Sequence, residues 1–500
     1  MSAALLRLAV TLALIYGGLA AGLTYWQVVE AQRLTTDPAN PLVIAAARNA
    51  PRGRILDSAG TVLARNTRGP NGEPVRVYPF PDAAPVLGYK SLLFGTSGIE
   101  RAYDQQLVGL QQFGPGGEVL RKFRSDPYRP QDVLLSIDMR LQARAMALLE
   151  GQRGAVVAIE PGTGRILALA SNPSFDPNRL VDPEGGRAYL ETLNQDPPES
   201  SRLINRATQG RYVPGSVFKI VTAIAGLGSG TIERDTTFES QPAEVDDGFL
   251  VQGFRIKDGH REAADRPPLN LIEATEISSN IYYAHVGLEV GGPTLIDWAS
   301  RLGFGGTIPF ELPTSPSQVT GGRGADDGFQ DDVELANAAY GQAETFVTPL
   351  QMALVAATVA NDGLLMRPKL VDEVRDGDTD EVLSRIEPQP WRQVISATDA
   401  NVLEEAMLAA VEGERGRQFA GDAKVPGVPT AGKSGTAQLA DGEPHSWFIG
   451  FAPASEPRIA VAVIIERGGS GRDRAVPIAG RLMRFYLSLE GDAGAEQGGG

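Results

Sequence analysis

The chain has 500 residues, of which 42% are apolar and 21% charged, and a formal net charge of −15. That composition suits a folded protein of two or more domains, and an acidic balance without a basic run excludes a nucleic-acid partner. Cysteine is absent, so disulfide frameworks, thiol catalysis and cysteine-bound metals are excluded.

The three histidines, His260, His285 and His445, are scattered, and neither a metal, a cofactor nor a His-based triad is expected. Only seven of the 46 basic residues are lysine. Lysine, unlike arginine, can give up its proton when its pKa is shifted, so the few lysines that fall in motifs stand out.

In chain order, an uncharged apolar run extends from Leu8 to Val29, with Arg7 before it and Tyr25 and Trp26 near its end. About 20 such residues cross a bilayer core of roughly 30 Å, and the aromatic pair suits an interfacial belt. A signal peptide cleaved near Ala20-Ala21-Gly22 is the competing reading. The length of the run exceeds a usual signal core and favours a retained single-pass anchor, residues 1–30, in the plasma membrane. On either reading the remainder is exported.

Residues 31–131 read as a separate, β-rich stalk or pedestal, with short apolar pieces between Gly and Pro punctuation. Ser58-Ala59-Gly60 is expected to turn a hairpin there, and no catalytic groups cluster. A second region, residues 132–490, begins with a helix over MRLQARAMALLEG capped by Asp138. A hairpin follows, GAVVAIE and RILALAS, turning at Pro161 to Gly164. After a break at Pro214-Gly215, a helix buried on most sides starts near Val217 and ends near Gly228.

A long helical and loop region then runs to about Gly421, with an apolar helix inside Gly341 to Gly363. Strands return in AGKSGTAQ, HSWFIGFAP and RIAVAVIIERGG, followed by a helix from about Pro477 to Leu489. The tail, residues 491–500, is expected to be disordered. Early strands, central helices, late strands and a final helix describe an α+β domain with one antiparallel sheet flanked by helices.

Three short motifs carry chemistry. Ser216 and Lys219 form S-x-x-K at the start of the buried helix, placing a hydroxyl at the positive helix end with an amine one turn on. Ser278-Ser279-Asn280 lies between two helical pieces, and Lys433-Ser434-Gly435-Thr436 lies on a predicted strand. Each alone is common; all three in this order and in these elements are a strong signal.

Ser216 must lose a proton to attack a carbonyl, and neutral Lys219 can take it if burial and a second cation such as Lys433 lower its pKa from about 10.4. Ser278 can relay a proton to the leaving amine, and Asn280 can hold both Lys219 and a substrate amide. Gly435 lets a substrate backbone lie along the strand. Lys433, Ser434 and Thr436 suit a substrate carboxylate, and the backbone amides of Ser216 and Thr436 suit an oxyanion hole. Gln438 is a candidate for the donor groove, while His445 and Trp447 read as cleft wall or core.

With these motifs the sequence resembles the class B penicillin-binding proteins, monofunctional peptidoglycan D,D-transpeptidases, and among them the penicillin-binding protein A type. The resemblance spans nearly the whole chain. In the stalk it rests on RGRILD (Arg52 to Asp57) and SGIERAYDQQLVG. In the catalytic region it rests on GAVVAIEPGTGRILALASNPSFDPN, NRATQGRYVPGSVFK, VTPLQMALVAATVANDG and HSWFIGFAP. Ser434 stands where the family more often has threonine, and either hydroxyl serves.

The resemblance implies a serine β-lactamase/transpeptidase-like domain on an anchored stalk. It implies Ser216 as the acylated nucleophile, Lys219 as base, Ser278 and Asn280 as second motif, and Lys433 to Thr436 as third. The substrates would be stem peptides ending in D-Ala-D-Ala, the inhibitors β-lactams, and the partner a membrane glycan polymerase of the SEDS class.

Rival readings remain at this level. GVPTAGKS (Gly427 to Ser434) fits a phosphate-loop pattern letter for letter, but such a loop needs a helix starting at the lysine. A β-lactamase would add a glutamate that activates a deacylating water; Glu334 and Asn337 are the only tempting pair. A D,D-carboxypeptidase uses the same Ser-Lys core, and a non-catalytic β-lactam sensor or scaffold is the remaining class.

Overall fold

The computed structural model describes residues 3–30, 52–69, 74–109, 129–259, 268–323 and 328–497. Pro51, His260 and the last three residues lie outside them. Helix α1 (Ala3–Thr24) continues in a wider turn to Val29. It has no buried residue and is long and apolar enough to cross a membrane. Its 25-residue apolar stretch, Ala3–Gln27, measures about 37 Å at the rise of an α-helix.

Strands β1 (Ile55–Leu56), β2 (Val62–Arg68) and β3 (Pro74–Val77) follow. The turn expected at Ser58-Ala59-Gly60 joins the first two. Asp57 Oδ1 accepts from the amides of Ala59 and Thr61, and Gly60 supplies a positive φ of 83°. Next come β4 (Gln131–Leu135) and α2 (Met139–Leu148), whose N-terminus Asp138 caps by accepting from Arg140 N and Leu141 N.

The hairpin of β5 (Gly154–Ile159) and β6 (Ile166–Asn172) leads to the buried helix α3 (Lys219–Gly228). A small hairpin, β7 (Phe249–Val251) and β8 (Phe254–Ile256), precedes α4 (Leu271–Glu276) and α5 (Asn280–Val290). Then come α6 (Asp332–Ala339) and α7 (Pro349–Ala360), the latter with Thr348 as cap and proline in its first turn. Strands β9 (Val371–Asp376) and β10 (Val382–Arg385) precede the final β11 (Ala431–Ala437), β12 (His445–Ala452) and β13 (Ile459–Ile465). Helix α8 (Ala475–Gln497) ends the described chain. It extends past the expected Leu489 into the segment read as disordered, where Ala493, Ala495, Glu496 and Gln497 are good helix formers.

The five-stranded sheet is antiparallel in the order β11-β12-β13-β5-β6. Side chains alternate between its faces. Val157, Ile159, Ile449, Phe451 and Ile464 join the core around α3 and α7; Val156, Ala158, Phe448, Val461 and Val463 join the one under α2 and α8. Both faces are covered, so these strands read as continuous apolar runs, and each fully buried Val or Ile contributes about 1.5 to 3 kcal/mol. Strand β11 has no strand on its outer side among the described residues.

The region read as a β-rich stalk shares a sheet with strands of the region that follows it. Its strands belong to a six-stranded sheet ordered β10-β9-β4-β1-β2-β3. In it β1 pairs parallel with β4, and β4 pairs antiparallel with β9. The boundary read at residue 131 therefore lies at the first residue of a central strand. Strand β9 starts 240 residues after the start of β4, and nothing local announces that pairing.

Candidate active site

The turn that carries Ser216, the expected nucleophile, is built by backbone exceptions. Gly215 has a φ of 58°, and residues Gly215–Phe218 form a single tight turn that runs straight into α3. In such a turn side chains three apart eclipse, so Ser216 and Lys219 stand one above the other. The turn is wedged on three sides. Gly215 N donates to Gly341 O (2.8 Å), and Trp447 Nε1 donates to Val213 O (3.0 Å). A Cβ on Gly215 would meet Thr436 O at 2.7 Å, and one on Gly341 would meet Gly215 O at 1.9 Å.

Lys219 is fully buried on α3. Its Nζ donates to Ser278 O (2.6 Å), Asn280 Oδ1 (2.8 Å) and Ser278 Oγ (3.2 Å). Lys433, in the middle of β11, reaches the same hydroxyl from the other side, with Nζ to Ser278 Oγ at 2.8 Å. Burial, and after it the charge of Lys433, hold the Lys219 ammonium well below its ordinary range, opposed by Asp258. Burial alone brings Lys433 down to about 7.

With one amine neutral and one charged, the Ser278 hydroxyl accepts from the ammonium and donates to the lone pair of the amine. That is a two-way proton path. Ser278 itself has a φ of 61°, a left-handed conformation rare for a residue with a side chain.

Ser216, Ser278, Asn280, Ser434, Gly435, Thr436 and Gln438 line one cleft of about 870 Å³, also bordered by Phe254, Asn337, Tyr340, Phe419 and Arg472. One wall is the open edge strand β11, which can take an extended peptide as a further strand. Gly435 has a second physical reason beyond substrate approach. A Cβ there would meet Pro214 O and Val217 Cγ1 at 3.0 Å, so its absence lets the nucleophile turn close on the strand. The amide of Gly471 donates to Thr436 Oγ1 (3.2 Å), binding the following loop to the third motif.

This geometry agrees with a family pattern. The "Penicillin binding protein transpeptidase domain" matches residues 154–484, and the "Penicillin binding protein A dimerisation domain" matches residues 52–123. The chain belongs to the penicillin-binding protein transpeptidase family.

Among relatives, the peptidoglycan D,D-transpeptidase PbpA of Mycolicibacterium smegmatis is 35% identical over 96% of each chain. PbpA of Mycobacterium tuberculosis is 33% identical over 98% of this chain and 100% of its own. The solved structure of penicillin-binding protein A from M. tuberculosis as a ceftriaxone acyl-enzyme superposes with a TM-score of 0.77 at 31% identity. It covers 87% of this chain and 98% of that one. The penicillin G acyl-enzyme of the same protein gives 0.75 at 30%, over 88% and 100%. The fold is the transpeptidase/β-lactamase-like α+β fold of these structures.

Within this penicillin-binding protein the rival motifs separate. Lys433 lies inside β11, paired with Ile449 of β12, so GVPTAGKS is a turn and a strand and not a phosphate loop. Glu334 is not among the residues that line the cleft: it pairs with the Arg323 guanidinium and accepts from Gln330 N (2.7 Å). Asn337 does line the cleft, hydrogen-bonded to Tyr340.

His445 is opposite Ala437 in the ladder, accepts from Arg467 N and packs edge-on to Tyr212. Burial lowers it to about 4, which leaves it neutral at physiological pH. Trp447 is core, and also a clamp on the nucleophile turn. Asp258, Gly341, Tyr340, Phe254 and Arg472 were not singled out from sequence, because each reaches the site across the fold and none belongs to a short motif.

Proposed function

We propose that this chain is a serine peptidoglycan D,D-transpeptidase acting in cell-wall synthesis, acylated by β-lactams at Ser216. The observation that carries this reading is the convergence of Lys219 and Lys433 on the Ser278 hydroxyl, beside Ser216 and under an open edge strand. The donor stem peptide lies along β11, its terminal carboxylate against Lys433, Ser434 and Thr436, with Gln438 further along the groove. Lys219, neutral, takes the Ser216 proton as Oγ attacks the carbonyl of the penultimate D-Ala. The backbone N–H groups of Ser216 and Thr436 hold the oxyanion.

The C–N bond breaks, and Ser278 passes a proton to the departing D-Ala nitrogen. An amine of a neighbouring stem then attacks the ester, its proton returns through Lys219, and the Ser216 hydroxyl is restored with a new peptide bond made. Asn280 orients Lys219 and a substrate amide. The apolar helix α1 serves as the single-pass anchor with the catalytic region outside the plasma membrane, and anchor and stalk contact a SEDS-class glycan polymerase. The PbpA relatives, named as D,D-transpeptidases, and the acyl-enzyme structures support this reading.

Intact-mass measurement after incubation with penicillin tests it. A stable adduct on the Ser216 peptide of the wild type, missing in Ser216→Ala, is expected. With a synthetic donor stem and an amine acceptor, cross-linked product is expected to exceed hydrolysed donor. Hydrolysis alone would assign a carboxypeptidase, and rapid drug turnover without an adduct would assign a hydrolase.

A further inference from the structure

Asn280 must present its side-chain oxygen to Lys219, and Ser278 must hold its hydroxyl between two lysines. Both sit on a turn whose left-handed Ser278 persists only if its surroundings over-determine it. Those surroundings come from the segment that follows β8. Asp258 Oδ1 accepts from Asn280 N (2.6 Å) and Ile281 N (3.0 Å), and Asp258 Oδ2 accepts from Ser279 Oγ (2.9 Å). Ser279 Oγ in turn accepts from Tyr282 N (3.1 Å), so the carboxylate and the hydroxyl together satisfy three amides at the start of α5.

The neighbouring carbonyl, Lys257 O, accepts from Asn280 Nδ2 (3.0 Å). That bond fixes the amide so that its Oδ1 faces Lys219. The segment holding this turn continues from the hairpin whose exposed Phe254 lines the cleft.

We propose that Asp258 is a positioning residue for the reaction at Ser216: by gripping the Ser278–Asn280 turn from behind, it sets the Ser278 hydroxyl between Lys219 and Lys433 and aims Asn280 at Lys219. The inference rests on Ser216 being the acylated nucleophile. It separates into a geometric part, the hydrogen bonds, and an electrostatic part. Lys219 is faced by Lys433 from β11, by the Tyr283 ring from α5 (5.7 Å) and by Asp258. Of these, Asp258 is the negative charge that favours the ammonium, with the exposed Lys257 beside it.

The test is the second-order rate of acylation by a fluorescent penicillin, across pH, for the full-length wild type, Asp258→Ala and Asp258→Asn, with melting temperatures. Asp258→Ala should acylate about 10- to 100-fold more slowly at every pH, the scale of a misplaced catalytic group. Asp258→Asn keeps an oxygen for the two amides but loses the charge. It should keep more of the plateau rate than Asp258→Ala, and its acid limb should move to lower pH because Lys219 loses its proton more readily. A purely structural role would lower the melting temperature of Asp258→Ala and leave the limb of Asp258→Asn in place.

Should Asp258→Ala not fold, the limb of Asp258→Asn decides. An Asp258→Ala rate within about twofold of wild type, or an unmoved limb in Asp258→Asn, overturns this inference and leaves the Ser216 reading intact. A wild type that takes no adduct overturns both.

Discussion

Two buried amines directed at one hydroxyl repel each other, and that repulsion is useful. In the proposed reaction it keeps Lys219 ready to accept a proton while Lys433 holds charge against a substrate carboxylate. The sign of the pH dependence follows. Acylation rises with pH as Lys219 becomes neutral, and falls as Lys433, lowered by burial, loses its proton near 7. A bell-shaped second-order rate is expected, with its alkaline limb near 7 and its acid limb below that, since this constant reports the free enzyme. Lys433→Arg should be slower overall but lack the alkaline limb, because a guanidinium does not titrate there.

A single methyl group tests the nucleophile turn. Gly341→Ala places a Cβ against Gly215 O in a residue whose φ is 86°. Acylation should fall by about 100-fold, the cost of roughly 1 Å of misplacement, as read by penicillin labelling rates. At this scale the three motifs were legible in sequence because each is local. Ser216 with Lys219, and Ser278 with Asn280, need only one turn of backbone. Gly341 and Asp258 were not, and Trp447 was legible as cleft wall or core but not as a clamp on the turn, because their partners stand 21 to 234 positions away along the chain.

Elements were legible where one period dominated. The hairpin of β5 and β6, the buried helix α3 and the three closing strands each carry a long apolar run, and each stands where its pattern placed it. The short helix Arg417–Ala420, which carries Gln418 and Phe419 to the cleft, had no such pattern, and one carboxylate holds the residues just before it. Glu276, at the end of α4, accepts from Arg415 N (3.0 Å) and Gly416 N (3.3 Å) through Oε1. Its Oε2 accepts from Arg415 Nη2 (2.8 Å). Glu276→Ala removes the acceptor of those amides and the nearer carboxylate of the Arg415 guanidinium, Glu273 standing at 3.7 Å, and should lower stability by about 2 to 3 kcal/mol in urea unfolding. Phe419 should then be displaced, weakening initial penicillin binding more than the acylation step itself.

In the whole molecule, the stalk is held to the catalytic region by a continuous ladder and by buried charge. Glu100, fully buried, pairs with both Arg52 (2.8 Å) and Arg76 (2.6 Å) inside the stalk, and across the boundary Arg54 pairs with the buried Asp132 of β4. The motif RGRILD could be recognised in sequence, but its acceptors could not, since Glu100 and Asp132 lie 48 and 78 positions on. A chain beginning at residue 129 should lose the β1 side of β4 and leave Asp132 without Arg54. It should melt at lower temperature and self-associate through the bared strand, as seen by thermal unfolding and size-exclusion chromatography.

The shared ladder also limits how such proteins can be recombined. A crossover at residue 131, where the composition changes, cuts at the edge of β4 and pairs the β1–β3 strands of one parent with the β4 and β9 strands of another. Registers matched within one chain, Ile55 against Val133 and Val374 against Val133, would then meet strangers. A functional chimera has to carry residues 52–135 and 371–385 as one inherited block, although 235 residues of chain separate them.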